Sequence, residues 1–275
     1  MNCTGRTFTD ESGFLTIPLL SIDEINQNSD ELLPRFAAQY RFNPNLTAYG
    51  SISRGFRPAG VNVTPFSVET ATFEAETSWN YELGLKSSWL DNSLFANLAI
   101  FYNPVNNFQF IGFQPATRTL FVGNADVDIF GAELELSANP VEGLDLIAGL
   151  GIVDTEFQNS ADPFTGNSFD GNQVPFAPRL TYNLAAQYRS PDGLFGRIEL
   201  NGFGETQLDN DNSFEQDPYA IVNVRLGYET DSVGIYLFAN NLFDTRYLTQ
   251  VLTTPPERGA FGAPATFGLQ VRSQF

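Results

Sequence analysis

Hydrolytic chemistry normally runs through a base tuned near neutrality, most often His, and this chain has no His among its 275 residues. Ser and acidic pairs remain without such a base, so no catalytic residue is assigned. Cys3 is the only Cys, which removes a disulfide framework and a thiolate metal site together. Asp209, Asp211, Ser213, Glu215 and Asp217 place oxygen ligands at alternate positions, as a calcium loop does. Phe214 stands where such a loop needs Gly, and no metal or cofactor site is assigned. What remains is non-covalent recognition. Phe108, Gln109, Phe110, Phe113 and Gln114 combine apolar rings with amides, the mixture that ligand sites favour. The same residues would serve equally as an interfacial girdle or as loop packing.

The elements that must position these residues are legible as a rhythm of connections. Tight turns read at Asn43-Pro44-Asn45, Leu90-Asp91-Asn92-Ser93, Asn139-Pro140-Val141-Glu142-Gly143, Ser190-Pro191-Asp192-Gly193 and Thr230-Asp231-Ser232. Between them lie longer stretches rich in Gly, Asn, Asp, Phe and Pro, around 57–75, 103–123, 158–175, 206–217 and 246–264. Short turns alternating with long loops are the signature of an antiparallel barrel in an outer membrane.

The segments between the connections alternate apolar and polar residues at period two. Leu180, Tyr182, Leu184, Ala186 and Tyr188 share one face, with Thr181, Asn183, Gln187 and Arg189 on the other. Phe36, Ala38, Tyr40 and Phe42 likewise oppose Arg35, Gln39 and Arg41, and Val222, Val224, Leu226 and Tyr228 oppose Asn223, Arg225 and Glu229. Charge in mid-strand, on segments about ten residues long, fits strands that span a bilayer at a tilt. The spacing predicts eleven strands over 33–42, 46–56, 76–89, 94–102, 124–138, 144–157, 176–189, 194–206, 218–229, 233–243 and 265–275. Residues 1–31 read as loop, with only a weak helical pattern at 21–25.

Composition agrees. The net charge of −18, with 14 basic residues and no basic cluster, argues against a nucleic-acid partner. The aromatic content of 14%, with 26 Phe, suits lipid-facing strands and girdles. No run approaches the length of a transmembrane helix. The first residues lack the apolar segment of a signal peptide, so export information is expected upstream, or the chain is a fragment.

Four stretches carry a resemblance to TonB-dependent outer-membrane receptors, most similar in flavour to siderophore receptors. Residues 234–247, ending in Asn241-Leu242-Phe243-Asp244-Thr245-Arg246-Tyr247, resemble the family's penultimate-strand element N-L-F-D-x-x-Y. Residues 46–58 resemble its Y-x-S-x-S-x-G-F-x-P arm, 76–86 its E-x-x-x-x-Y-E-x-G-x-K strand, and 124–135 its N-A-x-x-x-x-x-G-x-E-x-E strand. The terminal Phe275, preceded at period two by Val271, Leu269 and Phe267, is similar to the aromatic ending of such barrels. Asn241, Leu242, Phe243, Asp244, Tyr247 and Phe275 are expected to act architecturally, and Glu82, Lys86, Glu133 and Glu135 to face a wet lumen.

The resemblance implies an all-β fold: a transmembrane barrel segment of about eleven strands, half of the family's barrel, in the outer membrane of a Gram-negative-type bacterium. It implies uptake of a ferric siderophore or similar scarce solute, energised by the TonB system through a plug domain. Residues 32–275 then supply barrel wall, 1–31 form a loop before the first strand, and the plug is absent. The expected partners are outer-membrane lipid, the ferric ligand and an N-terminal half-barrel, since open sheet edges are not satisfied by lipid. A passive outer-membrane pore and a soluble β-rich binding module are the alternatives.

Overall fold

A computed structural model of the chain describes residues 30–62, 70–114, 119–252 and 258–273. The weak helical pattern at 21–25, most of the 1–31 segment and Phe275 lie outside the described residues, in which no helix occurs. The described residues form an all-β structure. Its first strands are β1 (Arg35–Asn43), β2 (Leu46–Arg57), β3 (Gly60–Val61), β4 (Thr72–Phe73), β5 (Glu76–Trp89) and β6 (Leu94–Gln114). There follow β7 (Thr119–Val141), β8 (Leu144–Gln158), β9 (Leu180–Arg189), β10 (Leu194–Phe203), β11 (Thr206–Gln207) and β12 (Glu215–Gln216). The last are β13 (Tyr219–Glu229), β14 (Val233–Asn240), β15 (Leu248–Leu252), β16 (Arg258–Phe261) and β17 (Thr266–Ser273).

Eleven strands pair antiparallel in one sheet, in the order β1-β2-β5-β6-β7-β8-β9-β10-β13-β14-β17, and the sheet does not close on itself. The pairs β3-β4, β11-β12 and β15-β16 are small ribbons in the long connections. All five tight turns therefore lie at one end of the sheet and all long connections at the other. The turns are held by residues suited to them. Gly143 and Gly193 adopt positive φ of 80° and 90°, and a Cβ at either would collide with the carbonyl of Arg189 or Glu229.

Registers convert the period-two alternation into two continuous faces. Phe36, Ile52, Tyr81, Tyr102 and Phe130 line up side by side across five strands. Leu98, Leu134, Leu150 and Tyr182 continue a parallel row, and Leu184, Leu200 and Val222 another. Most of these side chains are exposed although they sit in mid-sheet, Phe36 at 68% and Leu184 at 50%. An apolar surface of this extent is unsustainable in water and fits contact with lipid.

The opposite face carries the charge. Glu82, Lys86, Glu133 and Glu135 share it with Asn97, Asn183, Asn201, Arg197 and Arg225. Lys86 Nζ sits 5.3 Å from the centre of the Tyr49 ring, and that ring lies over Gly84, where any Cβ would collide with it. Phe101 covers Gly131 in the same way.

The 103–123 stretch corrects the strand lengths. Its described residues are not loop: β6 runs on to Gln114 and β7 starts back at Thr119, giving paired strands 21 and 23 residues long. The ladder slips between Val105 and Phe108, where Asn107 takes a φ of 54°. This bulge inserts one extra residue into β6 and resets its face alternation, so the pattern looks broken in sequence although pairing resumes. At the other ends, β9 begins at Leu180 rather than near 176, and β14 stops at Asn240.

Candidate functional site: the loop layer and the concave wall

Beyond the lipid-facing band, the long hairpin carries its own apolar core. Val105, Phe110, Phe121, Ala125 and Val127 pack with Phe157 of β8 and Phe169 of the following connection. The Phe110 ring lies edge-on to Phe121, Phe157 and Phe169, with centroids 6.1, 6.2 and 5.6 Å away. Phe108 meets Phe157 at 6.2 Å, and Phe164 meets Phe121 at 4.8 Å. These edge-to-face distances are those at which aromatic pairs gain energy beyond simple burial.

Amide side chains bind the neighbouring connections to this core. Gln109, 6% exposed, donates from Nε2 to the carbonyls of Pro58 and Glu74 at 2.9 and 3.1 Å, while its backbone N–H donates to Glu76 at 2.8 Å. Asn62 pairs with Val122 as a strand residue would: its Oδ1 accepts from the backbone N–H at 2.8 Å and its Nδ2 donates to the carbonyl at 3.0 Å. On the other side, Asn212 accepts from the Gln173 N–H and donates back to its carbonyl, at 2.8 and 3.0 Å. Asn210 reaches the hairpin itself, donating to the Ile111 carbonyl at 3.0 Å. Gln216 accepts from the Leu248 N–H at 2.6 Å. The connections thus form one hydrogen-bonded layer.

Two carboxyls in this layer are perturbed in opposite directions. Asp170 accepts from both the backbone N–H and the hydroxyl of Ser160 at 2.7 Å, and these bonds hold its carboxyl below the usual range. Asp211 is pushed up, first by burial and then by the charges of Asp209 and Asp162. Asp209 caps its own turn, accepting from the N–H groups of Ser213 and Phe214 at 2.9 and 3.0 Å. Among the described residues no group of three or more His, Cys, Asp or Glu side chains converges as a metal site would require.

The Asn241–Tyr247 element is a knot between β14 and the last connection. Asn241, with φ of 49°, donates from Nδ2 to Thr245 and Ala263 carbonyls at 2.9 and 3.0 Å and accepts from the Thr245 N–H at 2.8 Å. Leu242 N–H donates to the Val222 carbonyl at 2.8 Å, and Asp244 accepts from the Ala265 N–H at 2.9 Å. Tyr247 stacks on Tyr219 at 4.4 Å, and Tyr219 on Phe203 at 5.0 Å. Phe243 packs against none of these and is 71% exposed.

Residues 5–242 match the family described as TonB dependent receptor-like, beta-barrel. The chain belongs to this family. It is 31% identical over 234 residues to a pesticin receptor of Yersinia enterocolitica, covering 82% of this chain and 33% of that protein. It is 25% identical over 262 residues to the ferric-pyoverdine M114 receptor PbuA of a Pseudomonas strain, covering 92% and 31%. The crystal structure of the ferric yersiniabactin uptake receptor FyuA from Yersinia pestis superposes with a TM-score of 0.74 at 27% identity, over 88% of this chain and 37% of that one. The chain therefore spans about a third of the length of the curated relatives it matches. As a member of this family, it is an outer-membrane β-barrel segment of a receptor class devoted to transport.

The five candidate ligand residues of this receptor segment fall on different sides of the hairpin. Phe108 and Phe110 turn toward the concave side, Phe110 buried at 3% and Phe108 half-buried. Gln109 and Phe113 turn outward, Gln109 being held by the connection over it and Phe113 pairing with Leu120. Gln114 is buried opposite Thr119. Asn62, Asn212 and Asn210, which couple the connections, were not singled out from sequence. Their only local signal is Asn within loop-like composition, which does not reveal a partner 39 to 99 residues away.

Proposed function

We propose that this chain is wall and outer loops of a TonB-dependent receptor that takes up a ferric siderophore or a similar scarce solute. The observation that carries the reading is an eleven-stranded sheet with an apolar convex face and a charged concave face. Its long connections are knitted into one layer at a single end. A passive pore has no need of such a layer, and a soluble module would not expose the convex face.

In this reading residues 32–275 form barrel wall, with 1–31 leading into the first strand. The remaining receptor supplies the plug through which TonB acts, and an N-terminal half-barrel satisfies the edges of β1 and β17. Phe108, Gln109, Phe110, Phe113 and Gln114 shape the mouth. Gln109 and Phe110 fix where the hairpin stands, Phe108 presents the uncovered part of its ring to the concave side, and Phe113 steadies the outer flank of the rim. The architectural residues Asn241, Leu242, Asp244 and Tyr247 hold the last connection against the rim. No catalytic step is ascribed to the chain.

The test is binding of a panel of iron-55-labelled ferric chelates to outer membranes of iron-starved cells producing the receptor. The reading expects saturable binding of at least one chelate, weakened at least tenfold by alanine at Phe108 and Phe113 together. Binding of a chelate that survives this double substitution removes the mouth assignment. Voltage-independent ion conductance in planar bilayers with no chelate binding would favour a passive pore.

A further inference from the structure

The concave wall is electrically divided. On β5 to β7 it carries Glu82, Glu133 and Glu135 against Lys86. On β9 to β17 it carries Arg189, Arg197, Arg225 and Arg272 against Glu199 and Glu229. A positive sector is conspicuous in a chain whose net charge is −18.

Both carboxylates of that sector are already engaged. Glu199 accepts from Arg197 Nη2 at 2.6 Å and Nε at 3.2 Å, and from Asn201 at 2.8 Å. Glu229 accepts from Arg189 at 3.3 Å and from the Tyr236 hydroxyl at 2.9 Å. Arg225 has neither. Its guanidinium lies 4.7 Å from the centre of the Tyr236 ring, and its Nε is buried with no hydrogen-bond partner. It also stands directly across the ladder from Arg197, and like charges so placed repel. A half-buried guanidinium with a repelling neighbour and no counter-ion is unfavourable unless something anionic completes it. Asn223, Asn240 and Gln270 line the same depression and bring further amide donors to it.

We propose that Arg225, with Arg197 beside it, is an oxyanion site on the concave wall that takes a carboxylate. A planar guanidinium binds a carboxylate through two parallel N–H···O bonds, and the second arginine supplies charge rather than geometry, because Glu199 already occupies its fork. The carboxylate comes either from a polypeptide that occupies the lumen or from a small solute that passes through it.

The test uses the full chain refolded in detergent micelles. A fluorescently labelled tetraglutamate peptide is titrated by anisotropy, with citrate as unlabelled competitor. The site predicts saturable, salt-sensitive peptide binding that weakens at least tenfold in Arg225→Gln and is partly retained in Arg225→Lys. Glu82→Gln, in the acidic sector, stays within twofold of the wild type. Displacement by citrate at matching carboxylate concentration assigns the site to a small solute, and failure of citrate to displace assigns it to a polypeptide. Equal binding by the wild type and Arg225→Gln overturns the proposal, as does absence of saturable peptide binding to the wild type. A second readout guards against misfolding: Arg225→Gln keeps the sheet signal in circular dichroism and melts no lower than the wild type. Tetraglutamate raises the wild-type transition only.

Discussion

Removing the ring at the centre of the loop layer should melt that layer while leaving the sheet intact. Phe157 is fully buried, at 0% exposure, and its ring meets Phe108, Phe110 and Phe169 at 6.2, 6.2 and 5.9 Å. Its backbone is the bridge to the next connection, donating to the Asn172 carbonyl at 2.9 Å and accepting from the Gly171 N–H at 3.0 Å. Phe157→Ala in such surroundings costs about 3–5 kcal/mol. At about 1.4 kcal/mol per decade, local opening should become roughly 150- to 5,000-fold more frequent. Amide hydrogen exchange of the refolded protein reads this directly. Exchange at Phe157, Gly171, Asn172 and residues 108–111 should accelerate by that factor, while Leu98 and Leu134 in the sheet change little. Acceleration below about threefold at the loop amides, or equal acceleration across the sheet, would refute a loop layer with a separate core.

Four further outcomes follow. Asn241→Ala loses three side-chain hydrogen bonds and strains a positive φ, so the last connection should loosen by about 2–4 kcal/mol, seen as faster tryptic cleavage at Arg246; Asn241→Gly, which tolerates that φ, should lose less. Ser160→Ala removes the hydroxyl that Asp170 accepts from and should raise the Asp170 carboxyl, followed by carbon-13 NMR titration; because that carboxyl is lowered in the fold, its support is present above the ordinary carboxylate range and fades as pH falls through the lowered value. Asp211 is raised, so its charge opposes the fold at neutral pH and the opposition is relieved as pH falls through the raised value; Asp211→Asn should slow exchange in 208–214 at pH 7 and abolish that pH dependence. Leu184→Arg, in mid-strand on the convex face at 50% exposure, should cost about 2–4 kcal/mol of folding into lipid vesicles, and Asn183→Arg on the concave face far less.

The parts of the fold that depend on local pattern were legible in sequence. The tight turns carry Asn, Asp, Pro and Gly where backbones must reverse, and the strand Glu76–Trp89 was bounded correctly at both ends. Leu180 to Tyr188 alternate so regularly that their lipid-facing side was readable without the structure. The hairpin was not. Pro104, Asn106 and Asn107 look like loop, and the bulge after Val105 shifts the alternation that would have revealed the continuing strand. Ligand candidates drawn from that stretch were chosen by composition, which cannot separate a ring packed at 3% exposure, as in Phe110, from one on the surface. The anchoring amides and the uncompensated Arg225 depend on register between distant strands. No single segment contains that information.

The central claim is that the convex face meets lipid and the concave face meets water. The two Trp residues of the chain test it without any substitution. Trp79 and Trp89 lie on the convex face at opposite ends of β5, Trp79 under the Arg54 guanidinium at 5.7 Å and Trp89 56% exposed. Ten residues apart on a tilted strand, they stand about 25 Å from one another along the membrane normal, the height of the apolar band between aromatic girdles. The protein folded into vesicles of brominated lipid should show strong fluorescence quenching. Bromines near the headgroups should quench more than bromines deep in the acyl chains, and aqueous iodide should quench weakly. Strong iodide quenching with no effect of brominated lipid would place the convex face in water and contradict the account.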